Sequence, residues 1–387
     1  MKKKVLVRGP LLSQSGYGNH ARQIVKWLLK RDDLEVLTQV LHWGITPWHI
    51  DGSVEDGIIG EIMSRSINQM PNDLEISYQV QLPNEWDHTL AKINVGVTAA
   101  VETDICTPEW VTACNRMTSV VVPSRFTKGT LERSGQCTTP ITVIPESYIP
   151  EINDDTLPLD ISLSTDFNFL LFGMLTGQNP KSDRKNLLYT IKWLLEEFKD
   201  NPDVGIVLKT SSGRGTKIDK KVTEKLITQV VKEVRQGPYP KLHFMHGCMT
   251  NEEVASIYKH PKIKALVALT RGEGYGLPIL EAAVSDLPVV ATNWSGHLDF
   301  MRKGKFIAVD YKMETIDSSR VDDHIFLTHA RWAEPSEKDA KKRLRRLYES
   351  YETPKKWAVD LGKKLRKDLS HEKICDYWDE HLVKMVE

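Results

Sequence analysis

Cysteine is scarce, and none of it sits in a pattern that does chemistry. The 387 residues include five, Cys106, Cys114, Cys137, Cys248 and Cys375. None forms a C-x-x-C pair or a zinc spacing, which argues against a redox dithiol motif and a zinc finger. An odd, scattered set reads as reduced thiols in a cytoplasm. No aspartate pair has D-x-D spacing, so no metal site is expected. No apolar run approaches the roughly 20 residues of a membrane span. Met1-Lys-Lys-Lys leads only into Val5-Leu-Val7 before Arg8, which reads as a first strand and not a signal peptide. Net charge is missing too: 52 Lys and Arg balance 52 Asp and Glu. No global field therefore draws the chain to nucleic acid or an acidic membrane. There is no internal repeat and no low-complexity tract.

What is present is a soluble, globular composition, 40% hydrophobic and 27% charged. The length is long for one core and comfortable for two. Short apolar runs recur: Val5–Val7, 35–41, Ile93–Thr98, Ser119–Val122 and Ile141–Ile144. Helical stretches alternate with them, the first from about Asn19 to Lys30. Glu151 to Ser164 is acidic and aperiodic and reads as a linker. Phe167–Phe172 then restarts the pattern, with a helix from Asn186 to Phe198 and a strand over 204–208. Apolar strands alternating with helices predict an α/β fold with parallel sheets covered on both faces. Two domains are expected, residues 1–155 and 165–370, with a last helix at about 371–387.

One stretch carries more information than the rest. Glu273-Gly-Tyr-Gly-Leu-Pro-Ile-Leu-Glu281 follows a strand-like run, 264–269, and opens a helix-like run, Pro278 to Ser285. A second strand, 287–291, comes straight after. Strand, Gly-rich turn, helix and strand make a βαβ unit, whose turn lies where open α/β sheets bind ligands. Gly274 and Gly276 let backbone approach a ligand, and Pro278 suits the first helical turn. The free amides of that turn would face an anion. Glu273 before the turn and Glu281 about one turn inside the helix reach the same region at two depths. Carboxylates accept hydrogen bonds in pairs, which suits ribose or hexose hydroxyls. A nucleotide-sugar has polyol, phosphate and polyol in a line. Tyr275 and Leu277 complete the candidate donor-binding turn.

This stretch, continued by Ala282-Ala283, resembles the E-x7-E signature of the retaining glycosyltransferases of family four, which have the GT-B fold. Other stretches resemble that family in the same order: Glu102-Thr-Asp with Pro108-Glu-Trp110 and Asn115, Val122–Phe126, Asn293–Phe300 and Trp332–Pro335. The resemblance implies two Rossmann-like domains facing a cleft, with the terminal helix returning to the first. It implies Glu273 at the donor sugar and Glu281 on the donor ribose. It implies sugar transfer to an acceptor hydroxyl with retention, same-face departure and attack, the donor phosphate helping to take the proton, and no metal or other cofactor. Domain closure would exclude competing water.

Cations should neutralise the leaving diphosphate. Asp183-Arg184-Lys185-Asn186 follows the Phe172-Gly173 strand end, and Lys and Arg both suit phosphate. Lys185 matches the family lysine, but Met174 occupies the position of the family arginine. Arg184, Lys209 and Arg214 are the candidate replacements. Gly16-Tyr-Gly18-Asn-His-Ala21 mimics a dinucleotide fingerprint, but seven residues, Gly9 to Ser15, separate it from the strand, and Glu35 begins the next strand. Gly16 and Gly18 read instead as a glycine loop near donor phosphate or acceptor. Glu102 follows a strand; it either binds or deprotonates an acceptor hydroxyl or is a structural hydrogen-bond acceptor. His20, His246 and His297 are also available.

The expected enzyme is a glycosyltransferase. Rivals are a sugar-nucleotide epimerase or phosphorylase of the same fold, and a non-catalytic nucleotide-sugar-binding protein, for which Met174 speaks. Donor base, donor sugar and acceptor stay open: polysaccharide, lipid, small molecule, protein or modified DNA base. Nucleic acid or a membrane surface would have to be met by the basic clusters 341–346 and 363–367, which otherwise read as solvated helix faces.

Overall fold

A computed structural model describes residues 2–159, 161–177 and 179–386. Its internal contacts divide the chain into two units: Met1–Ser147 with Asp323–Leu327 and Leu369–Glu387, and Tyr148–Asp322 with Thr328–Asp368. Each is built on a six-stranded sheet. The first sheet holds β1 (Lys3–Gly9), β2 (Leu34–Val40), β3 (Leu74–Val80), β4 (Ile93–Val97), β5 (Ser119–Val122) and β6 (Ile141–Val143) in the order β2-β1-β3-β4-β5-β6. The second holds β7 (Phe167–Phe172), β8 (Val204–Thr210), β9 (Lys241–His246), β10 (Ile263–Ala268), β11 (Val289–Thr292) and β12 (Ile307–Val309) in the order β12-β11-β10-β7-β8-β9. Every pairing in both sheets is parallel. An antiparallel hairpin, β13 (Tyr311–Thr315) and β14 (Arg331–Pro335), completes the strands described.

The strand sequences explain the sheets. Val5 to Val7, all of β5 and all of β8 are buried, as β-branched and aliphatic residues must be when helices cover both faces. In the N-terminal unit, Trp27 and Trp378 stack at 5.4 Å, and Tyr78 meets Trp378 edge-on at 5.8 Å. Asp379 Oδ1 accepts from Trp27 Nε1 at 3.0 Å, and His381 Nε2 lies 3.0 Å from Ser119 Oγ. The final helix, His371–Val386, is thus part of that unit's core.

Two local expectations change. The first helix runs Gly16–Leu28, not from Asn19, because Ser15 Oγ accepts from Gly18 N and caps it three residues earlier. Gly16 and Gly18 therefore form a helical first turn and not a flexible loop. The acidic segment after Ile149 is no free connector: Pro150–Asn153 is a short 3₁₀ turn. Asn251 Nδ2 donates to Glu151 Oε1 at 3.0 Å, and Leu157 N donates to Ser256 Oγ at 2.8 Å. The basic clusters are also partly committed. Lys341 pairs with Glu196 and Glu337, Arg343 with Asp339, Arg345 with Glu197 and Arg366 with Asp286. Among the described residues, no helix is long and apolar enough to cross a membrane.

Trp378→Ala should remove a fully buried indole and lower unfolding stability by about 3–5 kcal/mol. Urea unfolding followed by far-UV circular dichroism reads this directly; a change below about 1 kcal/mol would contradict the packed position of the last helix.

Candidate functional site

In the second sheet the chain runs outward from β7 through β8 to β9, then returns to the other side of β7 as β10. The strand order reverses between β7 and β10, and open α/β sheets bind ligands beyond the carboxyl ends of the strands at such a point. A pocket lies there. Phe172 at the end of β7, Leu266 to Ala268 of β10, Thr270, Lys185, Glu273, Gly276, Pro278 and Ile279 are among the residues that line it.

Glu273 is the electrostatic centre. It is buried, and Lys185 Nζ donates to Oε1 at 2.7 Å and Oε2 at 2.9 Å. Arg184 Nη1 stands 3.4 Å from Oε2 and donates to Gly272 O at 2.6 Å. Burial alone would push the Glu273 carboxyl up; Lys185 and Arg184 outweigh it and hold the group at about 2.

The cations reach Glu273 because their loop is tightly folded. Buried Asp183 accepts from Thr176 Oγ1 at 2.8 Å and Leu187 N at 2.8 Å. Arg271, 1% exposed, ties three segments together. Its Nη1 donates to the carbonyls of Pro180 at 2.9 Å and Asp183 at 2.6 Å, while Nε and Nη2 take both oxygens of Glu334 on β14. Its backbone N–H donates to Arg184 O at 2.8 Å.

The turn itself depends on glycine at two places. Gly276 has φ +100° and caps the helix Leu277–Val284, with Pro278 in its first turn. A Cβ on Gly296 would lie 2.0 Å from Gly274 O, so this backbone can touch only as glycine. Gly296 N donates to Glu273 O and Glu273 N to Ser295 Oγ, both at 2.9 Å. Buried His297 donates through Nε2 to Thr292 O at 2.8 Å; burial pulls its imidazole down to about 4, so it is neutral at pH 7.

Glu281 occupies a different environment. It is buried on the helix, with Tyr258 OH donating to Oε2 at 3.4 Å. Burial raises its carboxyl to about 8. The Tyr258 ring stacks on Phe172 at 5.6 Å, and Lys209 Nζ lies 5.4 Å from the same Phe172 ring and donates to Gly247 O at 2.7 Å. Two carboxyls eight residues apart, one before the helix and one inside it, thus have opposite character, one held ionised and one held neutral.

The structure therefore gathers Glu273, Lys185, Arg184 and the 274–277 turn. Lys209 lies at the end of β8 among different partners. The Tyr275 ring turns into the interior against Phe300 at 5.2 Å. Met174 is exposed, and so is Arg214, whose backbone N donates to Asp219 Oδ2. Gly16, Gly18 and Glu102 belong to the N-terminal unit, the last half-buried in the loop after β4. Sequence reasoning missed Asp183, Tyr258, Arg271, Ser295, Gly296 and Glu334 as supports. Only the quoted stretches Asp183–Asn186, Asn293–Phe300 and Trp332–Pro335 contained any of them.

Glu281 sets a pH dependence. Its folded value, about 8, lies above the ordinary glutamate range. Between those values the native state holds a proton that the unfolded chain has released, so stability falls as pH rises across that window. Glu281→Gln should melt several degrees above wild type at pH 8–9 and converge with it below about pH 4. Equal melting temperatures at pH 9 would contradict the buried, neutral carboxyl.

Residues 228–319 match the family described as glycosyl transferases group 1. No curated protein matches the sequence at a significant level. Among solved structures, sucrose-phosphate synthase from Thermosynechococcus elongatus is 14% identical with TM-score 0.63, over 100% of this chain and 99% of that one. The E. coli trehalose-6-phosphate protein bound with UDP-2-fluoro glucose is 10% identical with TM-score 0.63, over 98% and 99%. Anabaena Alr3699/HepE in complex with UDP-glucose is 13% identical with TM-score 0.59, over 98% and 99%. The chain has the GT-B fold of these structures, and residues 228–319 of its second unit are similar to the glycosyl transferases group 1 family.

Proposed function

We propose that the chain transfers a sugar from a nucleotide-sugar to an acceptor hydroxyl with retention of configuration and without a metal. The observation that carries this reading is the pairing of a cation-bound carboxylate, Glu273, with a neutral buried carboxyl, Glu281, at one turn of the β7–β10 switch point. A protonated Glu281 both donates and accepts, which fits two neighbouring ribose hydroxyls. Lys185 and Arg184 are placed to meet diphosphate charge next to the sugar, the role a divalent ion plays elsewhere. Arg184 would then supply the guanidinium that Met174 cannot. Two of the similar structures contain UDP-sugars, which makes a UDP-sugar the first donor to try.

In this reading the bond between the anomeric carbon and the β-phosphate oxygen breaks, and the phosphate departs with the electron pair. The acceptor oxygen forms the new bond on the same face, and its proton passes to the departing phosphate oxygen. Glu273 holds Lys185 and Arg184 beside that charge and is positioned for the sugar hydroxyls. Glu102 is the candidate for the acceptor side.

Glu281→Ala should weaken nucleotide binding, while Glu273→Ala should spare it and abolish transfer. Thermal shift against UDP, GDP, ADP, dTDP, CMP and their sugar conjugates, without metal and then with Mg²⁺, checks the first. Transfer of labelled sugar to added acceptors checks the second. Normal binding and turnover in both variants would overturn the site; stabilisation only with Mg²⁺ would overturn metal independence.

A further inference from the structure

The helix Lys217–Val234 lies against the C-terminal core with Thr223 and Ile227 buried and Val230, Val231 and Val234 packed beside them. Another of its faces breaks the rule for a soluble helix. Ile218, Val222 and Leu226 are 74%, 65% and 45% exposed. They recur every four residues, so they form one continuous aliphatic row. A lysine precedes each, Lys217, Lys221 and Lys225. The lysines make a second row beside the first, and Lys232 continues it one turn after Thr228. None of these lysines has an ion-pair partner among the described residues. This contrasts with Lys341, Arg343 and Arg345, which are committed to carboxylates. At the far end Gln229 Nε2 donates to Glu233 Oε1 at 2.7 Å and closes the aliphatic row.

We propose that this face of the helix Lys217–Val234 docks on an anionic lipid bilayer. Charge and shape select that occupant. An aliphatic row flanked by unpaired lysines along one helix is the pattern of a helix lying in the membrane interface, with lysine stems extending over apolar surface and ammonium groups among headgroups. Nucleic acid would leave Ile218, Val222 and Leu226 against phosphates, and the ridge is convex where a peptide would need a groove. With a formal net charge of zero, the attraction is local to this face and acts within a Debye length. The inference does not depend on the transferase reading.

The test uses the full chain and phosphatidylcholine vesicles with and without phosphatidylglycerol, in a flotation assay at about 0.1 M salt. Wild type should float with anionic vesicles and stay behind with neutral ones. Lys217→Glu/Lys221→Glu/Lys225→Glu should weaken binding to anionic vesicles by at least about a hundredfold. Ile218→Ser/Val222→Ser/Leu226→Ser should abolish stable flotation while leaving the lysines in place. Both variants alter exposed side chains and should keep the wild-type melting temperature. Equal flotation with neutral and anionic vesicles, or variants that float like wild type, would overturn the proposal. So would a wild-type dimer that the serine variant alone dissociates, because the occupant would then be a second copy.

Discussion

The ion pair between Lys185 and Glu273 is the contact around which the C-terminal unit is arranged. A carboxylate as buried as Glu273 is stable only with charge and hydrogen bonds supplied by the fold. Lys185 grips both of its oxygens, with Arg184 close behind. The partners come from opposite sides of the strand-order reversal, Lys185 after β7 and Glu273 after β10. Joining them ties the two loops together beside the pocket, alongside the bonds of Arg271 to Pro180 and Asp183 and of Arg184 to Gly272. Removing one partner would leave the other buried without compensation, which typically costs about 3–5 kcal/mol.

Such a pair needs an exact frame, and much of the surrounding polar structure supplies one. Asp183 folds the cation loop on itself, and Arg271 fastens that loop to Glu334 on the β13–β14 hairpin. Gly296 and Ser295 hold the Glu273 backbone from the other side. The result is a Lys185 and an Arg184 fixed in place beside Glu273 by bonds from both loops. Glu281, set apart from these cations, keeps its proton by burial. A charged carboxylate before the helix Leu277–Val284 and a neutral carboxyl within it therefore flank the same glycine turn.

The fold class was legible because its signal is local. Val-Val-Val in β5 and Phe-Leu-Leu-Phe in β7 can only be strands covered on both faces. The turn at Glu273 was legible for a related reason: glycine, proline and two glutamates at fixed spacing state their geometry in nine residues. Strand order was not legible, since nothing in the sequence of β10 says that it pairs with β7. The supports of the site were hidden by the same fact. Arg271 and Glu334 are 63 residues apart in the chain, and an arginine in the loop after a strand looks like any other. The start of the first helix was misplaced because Gly16 and Gly18 suggest a loop, while one hydroxyl, that of Ser15, decides for a helix. The lysines over 217–225 do not stand out in the sequence, because only exposure separates their aliphatic neighbours from those of the core.

The most direct test of this account is the titration of Glu273 itself, followed by carbon-13 NMR of glutamate-labelled protein in wild type and Lys185→Met. A Glu273 carboxylate that titrates near 2 in wild type and moves upward by a unit or more in Lys185→Met would establish the ion pair as the organising contact. A wild-type value in the ordinary glutamate range, or one indifferent to Lys185, would contradict it.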